Sequence, residues 1–168
     1  MKVLTFSRFF PATHPRNGEE TFFIEKIWQG LQRLPLSSIE IATPDPRLEE
    51  HLKNHYTKIY DPKLHTIRGG KRWKEGDWFS PRIWSGKPYA NKQIQFSLPI
   101  QIKKIWNFKA VGEYFYLNEK PFDVTSSDLP VNDGLSTDDF LAWFDIHPKK
   151  KHLCFDGQLL CWDETLNY

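Results

Sequence analysis

The stretch KLHTIRGGKRWKEGDWFSPRIW, Lys63 to Trp84, decides how this 168-residue chain is read. It holds two runs of β-forming character, Leu64 to Arg68 and Asp77 to Trp84, with turn residues at Gly69-Gly70 and Gly76 between them. From residue 63 to 92 there are eight Lys or Arg and two acidic residues, a local +6 in a chain of net +2, which leaves −4 elsewhere. Charge segregated in this way points to an anionic or polar ligand held by the segment. The overall +2 is too small to demand nucleic acid by itself.

Outward from this stretch, β character runs from Asp61-Pro62 to Pro121. Ile94 to Phe96, Ile100 to Phe108 and Gly112 to Leu117 read as extended. Lys103-Lys104 breaks the alternation begun by Ile100 and Ile102, and a bulge there would restore one inward face. Short strands punctuated by Gly and Pro predict a small, partly closed barrel. Upstream, residues 2 to 7 read as a strand, and Thr21 caps a helix in which Phe22, Phe23, Ile27, Trp28, Leu31 and Leu34 share a face before Pro35. Pro46 suits the first turn of a second helix, reaching about residue 55. Downstream of the β region, Asn132-Asp133-Gly134 reads as a turn, and Ser136-x-x-Asp139 starts a short helix with Phe140, Trp143 and Phe144 on its apolar side, ending before Pro148. Lys149 to Lys151 reads as a solvated run, and Gln158 to Trp162 as a last strand closing the sheet.

The composition bounds the class. At 39% hydrophobic and 26% charged residues the chain has what one soluble domain needs, and its length suits one domain better than two. Aromatics reach 15% with seven Trp, enough to divide between a core and a stacking surface. No run has the apolar length of a membrane span and the N-terminus lacks the apolar core of a secretory signal, so a cytoplasmic location with no membrane partner is expected. Cys154 and Cys161 read as free thiols. His51 and His55 have the four-residue spacing of a two-histidine metal site, but without a third ligand they read as solvated histidines. No metal and no cofactor is expected.

Chemistry concentrates at Lys63, Thr66 and Arg68. A regular strand would send Lys63 and Thr66 to opposite faces, so they cooperate only if Lys63 leaves a turn after Asp61-Pro62, with Thr66 and Arg68 sharing one face of the strand. A hydroxyl beside a neutral amine is a nucleophile and its base, and burial or a cationic neighbour would have to lower the amine's pKa. On spacing alone, two solvated cations and a β-forming threonine is the simpler alternative. Asp133 is a turn residue in the plain reading and a carboxylate that orients Lys63 in the functional one. Lys71, Arg72, Arg82 and Lys87, with Arg68, are candidate ligand cations, and Trp73 is a candidate stacking ring. Trp78 and Trp84 lie on the same side of their strand, which favours a core position for at least one of them.

At these residues the chain resembles the ASCH domains of the PUA-like superfamily. The resemblance rests on Lys63-x-x-Thr66-x-Arg68, the Gly76-Asp77 step into a strand, and Asn132-Asp133-Gly134-Leu135-Ser136 followed by Asp139-Phe140. It covers roughly residues 60 to 164. It implies an α+β fold: a small mixed β-barrel over residues 61–168 with short flanking helices. Residues 1–60 lie outside the resemblance and read from their own pattern as an N-terminal strand and helix extension packed on the same domain. The resemblance further implies RNA or a modified nucleoside or nucleotide as partner, bound in a cleft beside the Lys-x-x-Thr-x-Arg segment. One branch of the family removes the acetyl group from the exocyclic amine of acetylated cytidine with a lysine, a threonine and a glutamate. Lys63 and Thr66 match the first two, and Asp133 stands where the glutamate is expected, one methylene shorter.

Three functions are therefore open: a module binding RNA or a modified base, an amidohydrolase acting on acylated nucleosides, and a protein-interaction module using exposed aromatics. The first predicts binding that weakens steeply with salt, and the second predicts turnover lost with Lys63.

Overall fold

The computed structural model describes residues 1–32, 60–144 and 154–168. Two sheets share the chain. The first is built on β3 (Trp78–Trp84), which pairs in parallel with β1 (Lys2–Thr5) on one side, and antiparallel on the other with β4 (Gln93–Gln95) and β5 (Ile100–Gln101). The second is antiparallel throughout, in the order β2 (His65–Gly69), β9 (Cys154–Cys161), β6 (Lys104–Val111), β7 (Tyr114–Leu117), β8 (Lys120–Phe122). The architecture is thus mixed α+β, as expected, but the sheets stay separate and form no closed barrel among the described residues. β1 is an integral strand of the first sheet.

The second sheet carries apolar side chains on both faces. On one, Ile105 and Leu160, with Trp162 just past β9, meet Phe79 and Ile83 of the first sheet and Phe96 just past β4, together with Ile24, Ile27, Trp28 and Leu31 of α1 (Phe23–Gln32). On the other, Trp106, Phe108, Ala110, Leu159 and Cys161 meet Leu129, Leu135 and Phe140 around two short helices, α2 (Leu129–Asn132) and α3 (Thr137–Trp143). A strand covered on both faces should read as a continuous apolar run. In β9 residues 157 to 161 are all buried, but Gln158 interrupts the apolar run and is satisfied by the Trp73 backbone. β9 is the last strand of the chain, as expected, and it lies in the middle of its sheet, between β2 and β6.

The break in alternation at Lys103-Lys104 has a different cause from the expected bulge. The extended run is two strands in two sheets: Ile100 pairs with Phe79 in the first, and Lys104 pairs with Cys161 in the second. Between them Ile102 donates to the Asp77 carbonyl and Lys103 to the Cys161 carbonyl, which carries the chain from one sheet to the other. Pro121 does not end the series either. It lies in β8, the outer strand of its sheet, where a missing N–H is tolerated.

At α3 the Ser136 hydroxyl accepts from the Asp139 N–H at 3.1 Å, so the expected cap forms there; at α1 the Thr21 hydroxyl accepts from the Phe23 N–H at a long 3.4 Å, with Phe22, at φ +55°, standing between Thr21 and the helix. The predicted second helix, His51, His55, the end of the first helix at Pro35 and the Lys149 to Lys151 run lie outside the described residues. Among the described residues, no helix is long and apolar enough to cross a membrane and no cluster of side chains could hold a metal ion.

Candidate functional site

A cleft of about 310 Å³ opens where the ends of β1 and β3 meet β2, the outer strand of the second sheet. Lys63, Thr66, Arg68 and Asp133 line it together with the aromatic side chains of Trp84, Tyr89, Trp143 and Phe144.

Lys63 precedes β2, off the strand, and two backbone bonds hold it there. Its own N–H donates to the Lys26 carbonyl at 3.0 Å, and that of Leu64 donates to the Asn132 carbonyl at 2.7 Å. Helix α1 comes this close because residue 30 is glycine: a Cβ there would stand 2.7 Å from the Lys63 carbonyl oxygen. Thr66 and Arg68 follow at alternate positions of β2, opposite Leu160 and Gln158 of β9, and so share one face.

Asp133 arrives from the other side of the sheet by a helix stop. The Gly134 N–H donates to the Val131 carbonyl and the Leu135 N–H to the Pro130 carbonyl, the paired bonds of a Schellman motif, with Gly134 at φ +76°. Asp133 is the last residue before this reversal, and its side chain points at Lys63. The Lys63 Nζ lies 2.5 Å from Asp133 Oδ1 and 2.5 Å from the Asp133 carbonyl oxygen. It also sits 4.3 Å from the centre of the Phe23 ring.

The pair is almost wholly enclosed, with Lys63 1% and Asp133 6% exposed. Burial pulls the Lys63 amine down to about 8, against the opposing pull of the Asp133 carboxylate, while Arg68 and Lys26 add to the lowering. For Asp133 burial acts upward, but Lys63 and His65 outweigh it and hold the carboxyl below its usual range. His65, fully buried, has its Nδ1 3.5 Å from Asp133 Oδ1, a long contact through which the ring supports the carboxylate. Burial lowers its pKa, so the ring stands neutral behind the carboxylate. Lys26 supports the same corner, donating to the Gly134 carbonyl at 2.6 Å.

The structure brings together four residues singled out in the sequence: Lys63, Thr66, Arg68 and Asp133. The others fall elsewhere. Trp73 is 3% exposed and packs in the core edge-on to Phe79, so it offers no stacking face. Lys71 is at the surface 3.4 Å from Asp156, Arg72 lies over the outer side of Trp73, and Arg82 donates to the Ser80 hydroxyl. Lys87 is exposed in the β3–β4 loop, next to the lining residues Pro88 and Tyr89. Neither Trp78 nor Trp84 is in the core: Trp78 is half-exposed and Trp84 borders the cleft, while Phe79 and Ile83 take the inner face of β3. Three contributors went unread in the sequence. His65 alternates away from Thr66, Tyr89 sits in a loop at φ +63°, and Lys26 lies on α1 among apolar neighbours. Trp143 and Phe144, read as an apolar helix face, also wall the cleft.

Searches against protein-family models, curated proteins and solved structures find no match to this chain.

Proposed function

We propose that this chain is an ASCH-type domain whose cleft receives a base of RNA or of a modified nucleotide. The observation that carries this reading is the cleft's division into a polar floor, where the Lys63–Asp133 pair stands beside Thr66 and Arg68, and aromatic walls formed by Trp84, Tyr89, Trp143 and Phe144. A planar heterocycle offers a π-face to such walls and acceptors or donors at its edge to such a floor. A short single-stranded RNA should bind with an affinity that falls steeply as salt is raised, because phosphate contacts release counterions. Binding that ignores salt, or no binding by a folded sample, counts against the reading.

A second reading, hydrolysis of an acyl group from a nucleoside's exocyclic amine, is favoured by one contact. Asp133, although a methylene shorter than glutamate, reaches the Lys63 amine at 2.5 Å, and burial lowers that amine to about 8, within range of a general base at mildly alkaline pH. Thr66 would be the nucleophile and Arg68 the ligand's anchor. Release of free acid from base-acylated nucleosides, lost in Lys63→Ala, supports this reading, and its absence with every substrate leaves binding alone.

A further inference from the structure

Two arginines of this chain have opposite surroundings. Arg16, on a surface loop, is held by two carboxylates, Glu19 at 2.8 Å and Asp139 at 2.7 Å. Arg68, half-buried on the cleft floor, has no carboxylate partner among the described residues. Its one hydrogen bond runs from Nη2 to the Thr5 carbonyl at 2.8 Å, and its guanidinium lies 4.9 Å from the centre of the Phe6 ring. Nε is buried without a partner.

Burial pulls the Arg68 pKa down to about 10, with Asp133 opposing and Arg72 assisting, so the group stays charged at neutral pH. A charge partly withdrawn from water is stabilised by a counter-charge or further hydrogen bonds. Asp133 is the carboxylate that lines the cleft, and it is already bound to Lys63. The floor therefore holds two cations and one anion. Beside Arg68, on the same face of β2, the Thr66 hydroxyl lines the cleft with no hydrogen bond to any described residue.

We propose that Arg68 and Thr66 form an oxyanion subsite, so that the ligand of this cleft is an acid carrying a phosphate or a carboxylate group and not a neutral nucleoside. This rests on the cleft being a ligand site. It does not depend on what fills the aromatic part. A single anionic oxygen group supplies the missing counter-charge, and the guanidinium donors not engaged by Thr5 together with one hydroxyl are a common set for either phosphate or carboxylate.

The test follows the Nε–Hε resonance of Arg68 in the unaltered protein by NMR. The protein is titrated with inorganic phosphate and, separately, with acetate, at ionic strength held constant by sodium chloride. The expected result is a saturable shift of the Arg68 signal while that of Arg16 stays in place. Saturation by phosphate assigns a phosphate-bearing ligand, and saturation by acetate alone assigns a carboxylate. Arg68→Lys, which keeps the charge but loses the fork, should weaken the saturating anion by roughly tenfold or more. An Arg68 signal that responds to neither anion beyond its response to chloride, or a shift of equal size at Arg16, overturns the proposal. Failure of RNA binding leaves this outcome untouched, so the two readings fail separately.

Discussion

Asp133 holds the Lys63 amine with two different oxygens, its carboxylate Oδ1 and its own main-chain carbonyl, each 2.5 Å from Nζ. The carboxylate contact depends on a side-chain rotamer, whereas the carbonyl contact depends only on where α2 stops. Any change that leaves the helix stop intact therefore keeps the amine in place while altering its charge balance.

Asp133→Asn makes that separation measurable. The carboxylate raises the Lys63 pKa against burial, so its removal lets the amine fall further below about 8. The Lys63 13Cε shift, followed against pH, should give a midpoint near 8 in the native protein and a lower one in the variant. An equal or higher midpoint in Asp133→Asn would contradict the assigned electrostatics.

The same amine makes stability depend on pH. Its folded pKa of about 8 lies below the unfolded value of 10.5, so between these limits the unfolded chain holds a proton that the folded chain has released. Stability from this group consequently rises with pH across that window and is lost as pH falls through 8. Urea unfolding of the native protein and of Lys63→Met, compared from pH 7.5 to 10.5, should show a smaller rise in the variant. Equal slopes would remove Lys63 from the account.

Gly134→Ala tests the helix stop. The residue sits at φ +76°, and an added Cβ would lie 3.2 Å from side-chain carbons of both Lys63 and Lys26. The backbone conformation alone costs roughly 1–2 kcal/mol in a non-glycine residue. Gly76→Ala, at φ +85° with open space around its Cβ, isolates that backbone cost. The loss of melting temperature should be larger for Gly134→Ala, and equal losses would mean that Lys63 and Lys26 do not crowd the position.

Aromatic walls and aromatic core should separate cleanly. Trp84→Ala removes a cleft wall and should weaken binding of a short RNA by about 1–3 kcal/mol with little loss of stability. Trp73→Ala empties a core position and should cost about 3–5 kcal/mol of unfolding free energy. Paired binding and denaturation curves on both variants check this, and a Trp84→Ala protein that binds as well as the native one would remove that wall from the site.

Much of the local structure was legible because it depends on neighbours in sequence. The Ser136 cap, β2, β3 and the apolar stripe of α1 follow from spacing that survives folding. Long-range pairing was not legible. Nothing near Lys103 says that its two flanks belong to different sheets, because the reason is the pairing of Ile100 with Phe79 and of Lys104 with Cys161. The cleft divides in the same way. Thr66 and Arg68 share a face by alternation alone, but the Lys63–Asp133 contact spans 70 positions and needs both α2 and the edge of the sheet to exist. Trp73, a candidate stacking ring, is in the core, and neither Trp78 nor Trp84 is, because an aromatic side chain suits a core and a cleft equally and only burial separates the two.

The central place of β9 has a consequence for the order of events during synthesis. β2, which carries Thr66 and Arg68, pairs with β9 and with no other strand among the described residues: His65 to Gly69 face Cys161 to Gly157. A nascent chain holding everything up to Phe144 would therefore possess all the cleft's side chains with the strand beneath them unpaired on both edges. The site is born late, when residues 157 to 161 leave the ribosome and slide between two segments made long before. Closure of so distant a contact is slow, and until it happens an open β edge is exposed to other chains.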